Sequence, residues 1–524
     1  MLWFAALVAL VVAGIGVLVA LWSGVTLSRD PSALAKVGLK PFAGSLVRAT
    51  AQGPDGRPIP LAVRDGRLTP LEQVTPGERI SLDVVIRRPG WLGWALGSYR
   101  SERLTVTAPV AHVESRWLTV ASGAPVKVNF TAPVSAVSYA TPGQPPVSLR
   151  LGGPTAAIEL PGLAAAGSVS VAAAARPWEK PSAPVQVSWF PASTAPVLLA
   201  DPAPGSNVSP LQPIRLTFSQ PLSTVFGATT PSVAGAAHGT WRELDSHTLL
   251  FTPAGVGEPL GSELRFTLPH AVAVSSVSGE LSRASAQLAW TVPLGSPLRL
   301  EQLLAQLGWL PLKWTPSGPP VARTARAQAA AAIAPPDGHF GWRYANTPAQ
   351  LRALWSPGRL NKIVKGAVMS FEHTHALGVD GIAGPLVWRA ILTDAVAAHR
   401  TATPYSYVYV RVKQPQLLTL WSAGHTVLTS PGNTGIPSSP TVPGTFPVFE
   451  HIAVGTMSGN NPDGSHYNDP GIRWISYFNG GDALHAFPRA SFGTPQSLGC
   501  VELPLSAAAR TWPYTPIGTL VTIE

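Results

Sequence analysis

Apolar residues dominate the first segment of the chain. Residues Leu2–Leu27 carry no charge and are rich in Val, Leu and Ala, and the stretch exceeds the roughly 20 residues that a bilayer-spanning helix requires. It is also longer than the apolar region of a typical signal peptide, and no clear small-x-small cleavage site follows it. We therefore predict a transmembrane anchor over residues 1–27, with a cleaved signal peptide as the alternative.

From about residue 41 to residue 293 the pattern changes to short alternating apolar segments separated by Gly and Pro. The segments Arg79–Val84, Val126–Phe130 and Leu264–Leu268 are examples. Alternation predicts strands with one buried face, and many short strands at turn-rich spacing are typical of β-sandwiches. We predict three domains here, namely a β domain at 41–108, a β-sandwich at 109–192 and a third β domain at 193–293.

A helical period replaces the alternation near residue 297. Leucines repeat at helical spacing over Leu298–Leu307, and similar patterns return at Ala349–Trp355 and Asn361–His375. Between them lies the tract Thr315–Gly338, whose richness in Pro, Ala and Arg predicts a loop or linker. We predict a small helical domain over residues 297–400 in which this tract is an insertion.

The remaining residues return to a β pattern. Tyr407–Val412 and Gln416–Trp421 predict neighbouring strands, and Gly518–Ile523 predicts a terminal strand. The segment Gly435–Phe446 is too rich in proline for a central strand, so we expect a loop that enters a sheet edge. We predict a β-rich domain over 404–524, and the fold class of the whole chain is multidomain and mainly β.

Composition narrows the class of partner. The chain has 524 residues, enough for several domains, and its formal net charge is +10. A basic surface suits a polyanion, but the Lys and Arg residues are scattered and form no nucleic-acid-binding motif. We therefore predict an anionic cell envelope as the partner and no nucleic acid.

The only cysteine, Cys500, follows Gly499 and lies fifteen positions after His485. A single thiol cannot form an internal disulfide, and a nucleophilic cysteine needs a neighbouring base that takes up its proton. His485 is the candidate base. The alternative is that Cys500 is an inert, buried apolar residue. His373 and His375 have a spacing compatible with metal binding, but no thiol stands near them and their neighbours form no ligand pattern, so we predict no metal site.

Four motifs occur in order in the C-terminal domain. They are Pro443-Gly444-Thr445-Phe446, Ala483-Leu484-His485, Ser497-x-Gly499-Cys500 and the ending Pro516-Ile517-Gly518-Thr519-Leu520-Val521. Over about 120 residues this layout resembles the L,D-transpeptidase catalytic domain of the YkuD-like family. The histidine precedes the cysteine in the chain, which distinguishes the pattern from papain-like and NlpC-type peptidases.

The resemblance implies a two-step acyl transfer on peptidoglycan stem peptides that requires no metal and no organic cofactor. Cys500 would attack the carbonyl of the third residue of a tetrapeptide stem, with His485 as base, and an amine of a neighbouring stem would resolve the thioester. We expect the N–H groups of Gly499 and Cys500 to stabilise the oxyanion. The remaining candidates for the substrate cleft are Ser497, Leu498, Glu502, Trp474 and Tyr477. If water resolves the thioester instead, the protein is an L,D-carboxypeptidase.

Three positions depart from the family pattern. Leu498 stands where a basic residue or His is usual, and Glu502 stands where Arg or Asn is common. Leu498 motivates the alternative of a catalytically inactive scaffold that only binds the cell wall. Ala486 replaces a small residue whose main-chain carbonyl orients the histidine, and alanine keeps that carbonyl.

Two further resemblances lie outside the C-terminal domain. Asp201–Val208 followed by Ile214–Leu222 is similar to the opening hairpin of bacterial Ig-like domains, which implies a spacer at 193–293. The string around the Asp-Gly-x-x-Gly-Pro turn resembles a peptidoglycan-binding domain, which implies glycan binding by the helical domain. The residues that carry this second resemblance are Asp380, Gly381, Gly384, Pro385 and Trp388, and both glycines are expected to adopt turn conformations that side chains disfavour.

The orientation of the anchor follows from the chemistry rather than from charge. Arg29, Lys36 and Lys40 follow the apolar stretch and no Lys or Arg precedes it, so the positive-inside rule favours an inward-facing body. Peptidoglycan chemistry requires the opposite. We predict a single-pass cell-membrane protein with its catalytic domain on the extracellular, cell-wall side.

Overall fold

The computed structural model describes residues 2–121, 123–160, 166–227, 229–234, 238–268, 272–275, 281–282 and 287–524. The predicted fold class is confirmed, because the chain is mainly β, begins with an apolar helix and ends in a β-rich domain. The chain divides into two compact units, each described here by itself. They are residues 1–199 with 217–221 and 271–283, and residues 200–216 with 222–270 and 284–524.

The N-terminal helix α1 covers Leu2–Trp22 and is exposed along most of its length. It is long enough and apolar enough to cross a membrane, a test that a signal sequence passes as well. The prediction of one apolar segment to residue 27 was too long at its C-terminal end. The helix stops at Trp22, and Val25–Ser28 form the strand β1, which pairs with Ala35–Leu39.

Residues 25–107 form two four-stranded sheets. The elements are β1 (Val25–Ser28), β2 (Ala35–Leu39), β3 (Ser45–Gln52), β4 (Pro58–Ile59), β5 (Leu61–Arg64), β6 (Arg67–Pro70), β7 (Arg79–Arg87), α2 (Gly90–Leu96) and β8 (Tyr99–Thr107). The sheet orders are β1-β2-β6-β5 and β4-β3-β7-β8. On β7 the alternate residues Ile80, Leu82, Val84 and Ile86 are buried, which is the period of two that the sequence predicts.

Residues 117–191 form one five-stranded sheet in the order β11-β10-β12-β13-β9. Its strands are β9 (Trp117–Val120), β10 (Val126–Ala140), β11 (Val147–Leu160), β12 (Gly167–Ala174) and β13 (Val185–Pro191). Val126, Val128 and Phe130 alternate into its core. The alternating segment Val126–Phe130 lies in β10 as expected, whereas the parallel pairing of β13 with β9 was not predicted.

Residues 197–291 contain β14 (Val197–Asp201), β15 (Ile214–Phe218), α3 (Leu222–Phe226), β16 (Ser232–Ala234), β17 (Gly239–Asp245), β18 (Thr248–Pro253), β19 (Glu263–Thr267), β20 (Ala273–Ser275), β21 (Leu281–Ser282) and β22 (Gln287–Thr291). In the second unit β16, β19 and β22 form a sheet, and β17 and β18 form a hairpin. The rings of Trp241, Phe251, Phe266 and Trp290 pack with centroids 4.8 to 5.2 Å apart. The domain boundaries within 41–293 remain predictions.

The helical region contains α4 (Pro297–Leu307), β23 (Leu312–Pro316), α5 (Ala325–Ile333), β24 (Gly338–Trp342), α6 (Ala349–Ala353), α7 (Lys362–Thr374) and α8 (Pro385–Ala397). The expected helices are present, and α4 ends at Gly308 in a left-handed cap. The prediction of a loop over 315–338 was wrong, because α5 lies inside it and packs against α8. Thr324 caps α5 and its alanines favour a helix, which outweighs the flanking prolines.

The C-terminal domain consists of β25 (Ser406–Arg411), β26 (Leu417–Ser422), β27 (His425–Pro431), β28 (Gly444–Pro447), β29 (Glu450–Asn460), β30 (His466–Asn479), β31 (Asp482–Ala486), β32 (Val501–Leu503), α9 (Leu505–Thr511), a 3-10 helix at Trp512–Tyr514 and β33 (Leu520–Ile523). Its two sheets have the orders β27-β26-β25-β33-β28 and β29-β30-β31-β32. The proline-rich segment leads into β28, which is an edge strand as expected. Apolar residues from both sheets form one core.

Candidate functional site

The two predicted catalytic residues lie on neighbouring parallel strands. His485 is in β31, and Cys500 immediately precedes β32. In their register Leu484 lies opposite Val501, and His485 lies opposite Glu502. Cys500 therefore directly precedes Val501, the first residue of β32, which pairs with Leu484. The sheet therefore brings together two residues that are fifteen positions apart in the sequence.

The thiol and the imidazole lie on the same face of this sheet. Successive strand residues point to opposite faces, and Leu484, Ala486, Val501 and Leu503 all enter the main core of the domain. Cys500 packs instead against a separate small cluster that contains Ala483. Because His485 is two residues after Ala483, it shares this second face, at a backbone separation from Cys500 of roughly 8 Å given ordinary strand spacings.

The Cys500 thiol is held in its protonated form. Its Sγ lies 3.6 Å from the carbonyl oxygen of Gly481, which can only accept a hydrogen bond. Burial raises the pKa of the Cys500 thiol to about 12, and the carboxylates of Asp482 and Glu502 add to this rise. At rest Cys500 is therefore a thiol, and a reaction through its thiolate would require a base.

His485 is positioned to act as that base. The side chain is buried, and Nδ1 lies 3.0 Å from the carbonyl oxygen of Ala486. Since a carbonyl cannot donate, Nδ1 carries the hydrogen and Nε2 of the neutral ring has the free lone pair. Burial lowers the pKa of His485. A neutral imidazole that can accept a proton thus shares a strand face with a neutral thiol.

A tight turn over residues 497–500 presents the thiol. The hydroxyl of Ser497 donates to the Cys500 carbonyl oxygen at 2.5 Å, and the N–H of Gly499 donates to the Ser497 Oγ at 3.3 Å. Gly499 has a φ of +119°, and a Cβ there would collide with the carboxylate of Asp482. Glycine is therefore required at this position for both conformation and space. The Ser497 hydroxyl is a support of the turn.

The loop before β28 supports the same turn, and the sequence did not indicate this. The Ser439 hydroxyl donates to the main-chain oxygen of Leu498 at 3.0 Å, and the Thr441 hydroxyl lies 3.4 Å from the main-chain oxygen of Cys500. The N–H of Gly435 also donates to Thr441 Oγ1 at 2.9 Å. The only possible signal was the cluster of small polar residues between prolines, which composition alone assigns to any loop.

Glu502 is paired rather than left as an isolated charge beside the site. Arg489 donates through Nε at 2.8 Å and through Nη2 at 2.6 Å to the two carboxylate oxygens of Glu502. The guanidinium also lies 4.6 Å from the centre of the Phe487 ring, and that ring contacts His485 edge-on at 5.9 Å. The departure from the family pattern at Glu502 is therefore compensated by Arg489, which the sequence analysis missed.

Removing the arginine alone is expected to destabilise the C-terminal domain. Arg489→Met keeps apolar contact with Phe487 but leaves the Glu502 carboxylate buried and unpaired. We expect the free energy of unfolding to fall by about 3 kcal/mol. This is the low end of the range for breaking a buried ion pair, because the Arg489 side chain is 32 % exposed. The urea concentration at which the amides of β31 and β32 lose their protection from hydrogen exchange, followed by mass spectrometry, reports unfolding of this domain.

The double variant Arg489→Met with Glu502→Gln should recover most of the loss, because no charge is then left buried. Arg473→Met is the matched control, since Arg473 is exposed and lies over Trp474 without a buried acidic partner among the described residues. An unchanged urea midpoint in Arg489→Met, or equal losses in the single and the double variant, would contradict the compensation.

Trp474 and Tyr477 were both predicted to line the substrate cleft, and only Tyr477 lies near the Cys500 thiol. Tyr477 packs in the small cluster with Cys500, and burial, with Cys500 as a further contributor, raises the pKa of its hydroxyl. Trp474 lies three positions before Tyr477 on the same strand, so it points to the opposite face and packs on the main core. Tyr467, which the sequence analysis missed, also lies near Cys500 and has a pKa raised mainly by burial.

The predicted peptidoglycan-binding turn has mainly internal contacts. The Glu372 carboxylate accepts the N–H groups of Asp380 at 3.1 Å and of Gly381 at 2.8 Å, and Gly381 has a φ of +72° as expected. Gly384 differs from the expectation, because its φ of −74° is accessible to any residue and it serves as the N-cap of α8. Pro385 occupies the first turn of α8 and Trp388 is buried.

Comparison with known proteins identifies a match to the C-terminal domain. Residues 405–523 match the YkuD family, described as an L,D-transpeptidase catalytic domain. This range contains His485, Cys500 and all the motifs that carry the resemblance. No match was found among curated protein sequences.

Solved structures of L,D-transpeptidases are also similar to parts of the chain. The enzyme from Mycobacterium smegmatis is 12 % identical over 63 % of this chain and 100 % of its own, with a TM-score of 0.21. L,D-transpeptidase 3 from Mycobacterium tuberculosis is 12 % identical over 63 % and 98 %, with a TM-score of 0.22. The catalytic domain from E. faecium is 22 % identical over 24 % and 100 %, with a TM-score of 0.21. At these scores, the assignment rests on the sequence match.

Proposed function

Residues 405–523 are an L,D-transpeptidase catalytic domain of the YkuD family, and from this premise we propose that the protein cross-links peptidoglycan stem peptides through a thioester on Cys500. The observation that carries the proposal is the hydrogen bond from His485 Nδ1 to the Ala486 carbonyl oxygen. It leaves Nε2 as a base on the strand face that holds the only thiol of the chain.

In the first half-reaction the donor stem peptide acylates Cys500. His485 Nε2 takes the thiol proton as Sγ attacks the carbonyl carbon of the third residue of a tetrapeptide. The resulting oxyanion is stabilised by the N–H groups of Cys500 and Gly499, the latter exchanging its 3.3 Å contact with Ser497 for the substrate. The carbon–nitrogen bond to the terminal D-Ala then breaks, the imidazolium protonates the departing amine, and a thioester remains.

In the second half-reaction an amine of a neighbouring stem attacks the thioester carbonyl. His485 accepts a proton from this amine, the new amide forms, and the carbon–sulfur bond breaks. The proton returns to Sγ and restores the neutral thiol. No redox change occurs and the bonds made and broken balance, so the residues at the site suffice for the chemistry.

The rest of the chain fits a role at the cell wall. The α1 helix would anchor the protein in the cell membrane, the β domains would act as spacers, and the helical domain would bind glycan. This arrangement places the catalytic domain on the cell-wall side. The net charge of +10 suits an anionic envelope.

The proposed function is tested by product analysis with the full chain in detergent. A purified disaccharide-tetrapeptide should be converted to a dimer linked between third residues, with release of D-Ala, and both products are identified by mass spectrometry. The disaccharide-tripeptide is the matched control, because it has no terminal D-Ala to expel. Release of D-Ala with tripeptide alone would identify a carboxypeptidase, and an unreacted tetrapeptide would identify an inactive scaffold.

A further inference from the structure

A cluster of two histidines and an aspartate lies in the helical domain, outside the Cys500 site. His375 Nε2 is 2.9 Å from one carboxylate oxygen of Asp394, and His399 Nδ1 is 3.2 Å from the other. One donor atom from each of the three side chains lies within 4.8 Å of the others. The sequence neighbours of His375 form no ligand pattern, whereas the fold brings Asp394, which is 19 residues away in the sequence, within 2.9 Å of it.

The hydrogen bonding of His375 favours a bound proton or a metal ion at this cluster. Its Nδ1 lies 2.9 Å from the main-chain oxygen of Phe371, so Nδ1 carries a hydrogen that it donates to that carbonyl. In a neutral ring, Nε2 then has a lone pair directed at the Asp394 carboxylate, and two lone pairs at 2.9 Å repel each other. Either a second proton on the ring or a metal ion between the two atoms removes the repulsion.

The helix ends around the cluster also favour positive charge. His375 is the C-cap residue of α7, and His399 follows Ala398, the C-cap residue of α8. The last carbonyl groups of a helix carry a partial negative charge that attracts cations. Two helix C-termini and one carboxylate thus converge, and the Asp394 side chain is only 12 % exposed.

We propose that His375, Asp394 and His399 bind one Zn²⁺ ion. Two imidazoles and a carboxylate are typical zinc donors, and bonds of about 2.0 Å in a tetrahedral site place donor atoms roughly 3.3 Å apart. The two imidazoles lie 2.9 and 3.2 Å from different oxygens of Asp394, and the three donor atoms lie within 4.8 Å of one another. Closure around the ion therefore requires the exposed His399 ring to shift toward His375. The Phe371 carbonyl supplies the outer hydrogen bond that zinc-binding histidines usually make. His399, whose side chain is 68 % exposed, provides access, and water completes the fourth position.

The ion would brace the predicted peptidoglycan-binding turn. It joins the C-terminal end of α7 to the C-terminal end of α8, and the Asp380–Pro385 turn lies between these helices in the chain. The site requires no contribution from Cys500 or His485. Its existence is therefore independent of the proposed transpeptidase activity.

Zinc binding is tested on the full chain in detergent, in a Cys500→Ala background so that the only thiol cannot compete. After removal of metal with a chelator, equilibrium dialysis against ZnCl2 and elemental analysis should give one zinc per chain. His399→Ala removes an exposed ligand without opening the core, and we expect a dissociation constant at least about 100-fold higher. His373→Ala is the matched control, because His373 is exposed on the same helix and outside the cluster.

Cobalt substitution provides a readout of geometry. Co²⁺ in the parent protein should give the visible absorption of a tetrahedral site, and this absorption should be absent in His399→Ala and retained in His373→Ala. Failure of the parent protein to bind zinc would overturn the proposal and identify the cluster as an imidazolium–carboxylate ion pair. Equal zinc affinity in His399→Ala would also overturn it, by placing the ion elsewhere.

Discussion

Incubation of the full chain with a carbapenem is expected to add one β-lactam mass to the protein, and Cys500→Ala is expected to remove this adduct completely. The β-lactam carbonyl takes the place of the stem-peptide carbonyl, and the ring nitrogen is the leaving group that stays attached. Because Cys500 is the only thiol in the chain, a thioester can form nowhere else. The measurement is intact-protein mass spectrometry of both proteins after identical incubation.

Ser497→Ala is the matched control for this experiment. Ser497 lies three residues from Cys500 and supports the turn through its hydroxyl, but it leaves the thiol in place. The adduct should still form in Ser497→Ala, although more slowly. An absent adduct on the wild-type protein, or an equal adduct on Cys500→Ala, would refute nucleophilic catalysis by Cys500 and favour the inactive scaffold.

Replacement of His485 by alanine is expected to lower the acylation rate at pH 7 by about 10² to 10⁴, the usual contribution of a positioned general base. The raised pKa of Cys500, about 12, makes this loss large, because so little thiolate exists without a base. The rate is measured by the appearance of the carbapenem adduct over time. His466→Ala is the control, since His466 is an exposed histidine of the same domain, and its rate should equal that of the wild type.

The pH dependence separates loss of the base from general damage to the site. In the wild type, the rate should rise as pH increases through the lowered pKa of His485 and stay level at neutral and mildly alkaline pH, because the neutral imidazole is then the base. In His485→Ala, only the thiolate reacts, so the rate should increase close to tenfold per pH unit up to pH 9, below the raised thiol pKa. A level profile in the variant would contradict general-base catalysis by His485.

The motif order predicted His485 and Cys500 as the catalytic pair, and the fold brings both to one face of a sheet. Both residues come from four local strings, and the predicted terminal strand Gly518–Ile523 is present as β33. Strand alternation did not show which face of β30 meets the thiol. Trp474 and Tyr477 were both proposed for the cleft, and the pairing of β30 with β31 brought only Tyr477 to it.

By itself, the sequence determined the features that depend on neighbours in the chain: the apolar N-terminal helix, the strand and helix periods, and the turn glycine Gly381. It also proposed His485 and Cys500 as the candidate pair. Tertiary structure alone decided the charge states and partners. The pairing of Arg489 with Glu502, the raised pKa of Cys500 and the His375, Asp394 and His399 cluster all depend on which distant side chains share a buried space. Desolvation and direct contact set these properties, and neither is a function of sequence separation.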